Sequence, residues 1–100
     1  MLVRIVKMTF RPEETTSFLA LFEQIKDKIR AFEGCEYLEL MEDFDDPNSL
    51  CTYSKWHDEQ ALENYRRSEL FDEVWAKTKA LFASKPLAFS LKTHTKVDLS

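Results

Sequence analysis

The residues of this chain with the chemistry for a site gather between Ser49 and Trp75, and two of them set the question. Tyr65 and Trp75 lie ten residues apart on what read as consecutive helical segments, so both can face one cleft. Each is a large aromatic surface with a single polar tip, the combination that stacks on a flat, partly polar aromatic ligand and orients it with one hydrogen bond. The same spacing also suits two core residues, and the pattern leaves both readings open. Trp56, at the end of a strand, can cover the start of the following helix, and Trp56, Phe22 and Phe71 are the aromatic residues expected to help bind a substrate. His57 and His94 are the only side chains with an ordinary pKa near neutrality, but neither stands beside a nucleophile, and both read as solvated. Cys35 and Cys51 form no CxxC and share no histidine spacing that would close a metal site, so they are expected to be buried free thiols. Cys51 would need an adjacent base to act as a nucleophile, and none is visible.

These residues must be held by a framework, and the periodicities supply one. Leu2 to Phe10 reads as a first strand with apolar residues on both parities, Val3 and Ile5 on one and Leu2, Val6, Met8 and Phe10 on the other. Pro12 suits the first turn of a helix, Glu13 and Glu14 favour its positive end, and Phe18, Phe22, Ile25, Ile29 and Phe32 form its apolar stripe. Gly34, the only glycine, stands where a helix ends on a left-handed residue. Strands are expected over Cys35 to Phe44 and Leu50 to His57, joined by the turn Asp45-Asp46-Pro47-Asn48. Asp58 is the expected cap of a short helix carrying Ala61, Leu62 and Tyr65. Ser68 restarts the helix, whose second stripe runs from Leu70 to Phe82 and is expected to end at Pro86. A terminal strand is expected from Leu87 to Val97.

The resulting order is β-α-β-β-α-β, an α+β, ferredoxin-like arrangement with helices on one face of an antiparallel sheet. One hundred residues, 44% apolar and 13% aromatic, are expected to make a single domain over 1–100 with one core. The apolar residues on both faces of strand one, and a long terminal edge strand, predict that a second copy covers the free sheet face as a homodimer. A formal net charge of -4, spread along the chain, gives no electrostatic footprint for nucleic acid. The first residues alternate as a strand does and lack the apolar run of a signal peptide or membrane span, so a cytoplasmic, membrane-free location is expected.

Strand three ends in YSKW and runs straight into DEQALENY-x-x-S-x-x-F, and with the element order this resembles the antibiotic biosynthesis monooxygenase domain family over essentially the whole chain. The resemblance implies a dimeric α+β barrel in which two sheets face each other. It also implies either a cofactor-independent oxygenase of quinols and polyphenolic aromatics or a non-catalytic small-ligand-binding or stress-related module. Members often carry Glu before the strand-three Trp and His nine residues after it, where this chain has Lys55 and Tyr65. The haem-degrading branch resembles the chain around ALENYRRSELF, but its Asn, Trp and iron-binding His fall on Val6 or Lys7, Tyr65 and Trp75. Trp offers iron no lone pair and a chain with one glycine has no glycine-rich phosphate loop, so no haem, flavin or metal is expected. The expected ligand is a small aromatic molecule, with Tyr65 orienting an oxygen and Trp75 stacking on the ring.

Overall fold

The computed structural model describes residues 1–99. Strand β1 (Leu2–Thr9) leads through a 3-10 turn at Pro12–Glu14 into helix α1 (Thr15–Arg30), then into strands β2 (Cys35–Glu42) and β3 (Ser49–Trp56). Helices α2 (Glu59–Arg66) and α3 (Glu69–Lys79) precede strand β4 (Leu87–Leu91). The four strands form one antiparallel sheet in the order β2-β3-β1-β4, the ferredoxin-like topology.

The pleat sorts side chains by parity, and this sorting builds the core. In β1 the even residues face the helices: Met8 is buried, and Phe10, just beyond the strand, is 1% exposed and stacks on Phe18 of α1 at 4.3 Å between ring centres. In β3 the same parity carries Leu50, Ser54 and Trp56, all buried. Burying a side chain of this size contributes roughly 1.5–3 kcal/mol, so the inward rows of the two central strands supply much of the drive to fold. The core divides into two clusters. One gathers Met8, Phe10, Phe18 and Leu50, and the other gathers Ile29, Cys35, Trp56, Ala61, Leu62 and Tyr65.

The turn at Gly34 joins these layers. Its φ of 89° is left-handed, and a Cβ there would run into the Cβ of Ala61, so only glycine lets α2 pack against the turn that follows α1. Its carbonyl accepts the backbone N–H of His57 at 2.8 Å, pinning the exit of β3 beside the same turn.

Several boundaries differ from the periodicity. Helix α3 ends at Lys79 rather than running to Pro86, because Leu81 and Phe82 are drawn out of the helix to complete the core beside β1. There Phe10 and Phe82 form an isolated antiparallel bridge, Arg11 N donates to Leu81 O at 3.1 Å and Ala83 N donates to Thr9 O at 2.8 Å. Strand β4 stops at Leu91, where β1 runs out of partners at Val3, so the alternation through Lys92, His94, Lys96 and Val97 continues in sequence without a ladder to join. Strand β2 ends at Glu42, and Phe44, expected within it, is fully exposed. Asp43 instead turns the chain, its side chain accepting Asp45 N at 2.9 Å.

The sheet face away from the helices is open and mixes apolar residues with Lys7, Glu39 and Lys55. It carries Val3 and Ile5 of β1, Tyr53 of β3, and Leu87, Phe89 and Leu91 of β4, of which the last three are 58%, 45% and 50% exposed.

Candidate functional site

Between the two core clusters lies a cavity of about 290 Å³, at the small end of the range of roughly 300–1,000 Å³ that takes small organic ligands. Tyr65, Trp75, Trp56, Phe22 and Phe71 all line it, so the structure brings together every site residue expected from the sequence.

The local sequence explains how. Asp58 is extended (φ -157°) and its carboxylate accepts Ala61 N at 2.8 Å, which starts α2 two residues after β3 and leaves Tyr65 on its inward face. Ser68 then ties the two helices together. Its hydroxyl donates to Tyr65 O at 2.6 Å and accepts Phe71 N at 3.1 Å, ending one helix and capping the next with a single side chain. The break swings α3 so that Phe71 and Trp75, one turn apart, stack on each other at 5.8 Å and 10° against the same space.

The rings form a continuous wall. Trp56 stacks on Tyr65 at 5.0 Å, Tyr65 meets the edge of Phe71 at 5.3 Å, and Trp75 meets Phe82, which contacts Phe10. Such pairs contribute roughly 0.5–1.5 kcal/mol each beyond their buried area. Trp56, expected to cover the helix start, does pack with Ala61, Leu62 and Tyr65 of α2, and it is 1% exposed, with its indole N–H donating to Ser54 Oγ at 3.0 Å.

Tyr65 is 8% exposed, and its phenol has no hydrogen-bond partner among the described residues. Burial first, and the Cys35 thiol second, push its pKa far above the ordinary tyrosine range. It therefore stays protonated and can donate a hydrogen bond to a ligand oxygen, but it cannot serve as a base near neutral pH.

Other candidates lie elsewhere. His57 is exposed, 3.9 Å from Glu36, and His94 is exposed beyond β4 with a hydrogen bond to Thr95. Lys55 points to the open sheet face, 5.1 Å from the centre of the Tyr37 ring. Cys35 is buried and Cys51 half-buried, and burial raises both thiols, which disfavours the nucleophilic thiolate. Among the described residues no three of His, Cys, Asp and Glu gather to hold a metal ion, and Trp75 on the cavity wall has no lone pair to offer iron. Among the described residues no helix is long and apolar enough to cross a membrane.

The sequence reading passed over the polar part of the lining. Arg4, Thr52, Ser54 and Arg66 also face the cavity. The signal for Arg4 was its parity: it shares the inward row with Leu2, Val6 and Met8, where a charged residue is out of place unless something polar faces it. Arg4 Nη1 donates to Ser90 Oγ at 3.0 Å, and burial together with nearby Arg66 lowers its pKa from the ordinary arginine value.

Comparison with known proteins agrees with this architecture. A family model described as antibiotic biosynthesis monooxygenase matches residues 1–77. A crystal structure of an antibiotic biosynthesis monooxygenase superimposes with a TM-score of 0.89 at 22% identity, covering 95% of this chain and all of the other. A conserved protein from Methanosarcina mazei Go1 gives 0.85 at 22% identity, covering 92% of each chain. A Mycobacterium tuberculosis protein gives 0.87 at 21%, covering 97% of this chain and 98% of the other. At these identities the likeness is one of fold. The curated proteins contain no match.

Proposed function

The chain belongs to the antibiotic biosynthesis monooxygenase family, and from that premise we propose that it is a cofactor-independent monooxygenase of a quinol-like or polyphenolic aromatic. The observation that carries the reading is the cavity walled by Trp56, Tyr65, Phe71 and Trp75, with the neutral phenol of Tyr65 as a donor on its wall.

The chemistry asks little of such a wall. A quinol that has lost a proton is itself an electron donor: it passes one electron to dioxygen, and the radical pair joins in a carbon–oxygen bond. The hydroperoxide so formed loses water. Overall, a quinol and O₂ become a hydroxyquinone and water, the substrate supplying all the electrons. The protein's part is to hold the ring flat between aromatic faces, to exclude bulk water, and to stabilise the anion with fixed donors. Tyr65 donates to the ligand oxygen, Trp75 and Phe71 stack, and Phe22 closes the wall from α1. The lining contains no carboxylate or histidine, so the substrate's proton leaves to solvent and the substrate must be acidic on its own account.

That missing base also favours a second reading, a binding module of the same fold that holds the ligand without turning it over. Oxygen uptake with a panel of hydroquinones separates the two. Consumption that saturates with hydroquinone and persists with a metal chelator supports the oxygenase. Thermal stabilisation by the same compounds without uptake supports the module.

We also propose a homodimer through the open sheet face, because Leu87, Phe89 and Leu91 leave too much apolar surface on one side of a small sheet. A dimer mass in light scattering at micromolar concentration is the expected result.

A further inference from the structure

The charged side chains in the cavity lining are Arg4 and Arg66, and both are cations. Arg4 sits in an inward row where burial disfavours its charge, and the nearby Arg66 disfavours it further. Among the described residues Arg4 has no carboxylate partner. Its recorded side-chain bond goes to a neutral hydroxyl, Ser90 Oγ at 3.0 Å. Arg66 reaches Glu63 only at 4.0 Å, and Glu63 is more tightly held by Arg67 at 3.0 Å. Arg4 and Arg66 stand between the cavity and an outer groove: their partners Ser90 and Glu63 line the groove together with Asp58 and Glu59, and the cavity lining itself holds no carboxylate.

We propose that the ligand of this cavity is an aromatic carboxylic acid, its ring against Tyr65 and Trp75 and its carboxylate received by Arg4 and Arg66. The inference rests on the reading of the cavity as a ligand site and adds the charge that the ligand must bring. Guanidinium forks match a carboxylate in two parallel hydrogen bonds, and a partly buried setting makes that bond stronger than it would be in water. A carboxylate between the two arginines offsets their mutual repulsion, which a neutral quinol leaves in place. The carboxylate also fixes which edge of the ring enters first, placing the opposite edge toward the phenol of Tyr65.

The test is an anaerobic calorimetric titration with two probes of one shape, a hydroxynaphthoate and its carboxamide, so that binding is read without turnover. In the parent protein the naphthoate is expected to bind about tenfold or more tighter than the carboxamide, as a charge-assisted bond does over a neutral one. Raising the salt concentration should narrow the gap. Arg4→Gln should remove most of the preference, and Arg66→Gln, an exposed position that tolerates change, should reduce it several-fold. Equal binding of the two probes by the parent, or an undiminished preference in a folded Arg4→Gln protein, would overturn the carboxylate while the cavity reading stands. Binding of neither probe would overturn both.

Discussion

The two halves of the core are made of similar aromatic material and differ in what they leave unfinished. Around Phe10, Phe18, Met8 and Leu50 the packing is apolar throughout, and Phe10 is 1% exposed with Phe18 stacked on it. Around Trp56 and Tyr65 the packing is as tight, yet it carries an indole N–H bound to Ser54, an unpartnered phenol, and Arg4 at the border. Polar groups at the border of a core cost desolvation that apolar side chains do not, and here they gather on one side of the cavity. The difference teaches that both halves wall the cavity, Met8 and Phe18 from the first and Trp56 and Tyr65 from the second, while the second half brings the polar groups that can orient a ligand.

The largest effect should come from damaging the first half. Phe10→Ala should destabilise by about 3–5 kcal/mol, since its ring is enclosed by Phe18 and Phe82 and little can collapse into the space. Denaturant titration reads this directly. Next is the turn that joins the halves: Gly34→Ala should cost on the order of 2 kcal/mol or more, combining left-handed strain with the collision at Ala61. A similar loss in Gly34→Ala and an exposed helix control such as Gln24→Ala would remove that explanation.

Ser54→Ala tests the polar half. It strips the indole N–H of Trp56 of its acceptor and should destabilise by about 1–3 kcal/mol although a small hydroxyl is all that is lost. A neutral result would show that the bond is dispensable.

Smaller still is the pH effect of Tyr65. The folded pKa is raised above the unfolded one, so the stability tied to this phenol is present below about pH 10 and declines above it, as the unfolded chain ionises while the folded one resists. The parent should lose stability faster than Tyr65→Phe as pH rises from neutral past that value. Parallel curves would mean that the phenol is not desolvated.

Much of this contrast was legible before the fold was seen. Asp58, Ser68 and Gly34 announce the breaks that aim Tyr65, Phe71 and Trp75 at one space, because capping chemistry and a left-handed turn are local properties. The ends of α3 and β4 were not legible. Leu81 and Phe82 continue a helical stripe in sequence, but their pull toward Phe10 is a long-range contact, and β4 stops where its partner strand ends. Arg4 could have been read from its parity, but Arg66 faces the cavity only because α2 lies where Gly34 lets it pack.

The measurement that bears most directly on the division of labour is a paired one, melting temperature and affinity for a hydroquinone analogue in Phe10→Leu, Tyr65→Phe and the parent. Phe10→Leu should lower the melting temperature by several degrees, at roughly 4–8 °C per kcal/mol for a domain of this size, with affinity unchanged. Tyr65→Phe should leave the melting temperature nearly unchanged and weaken affinity several-fold, the loss of one neutral hydrogen bond of about 0.5–1.5 kcal/mol. Affinity that is unchanged in Tyr65→Phe, or that falls as far in Phe10→Leu, would contradict the assignment of the ligand to the Trp56 and Tyr65 half.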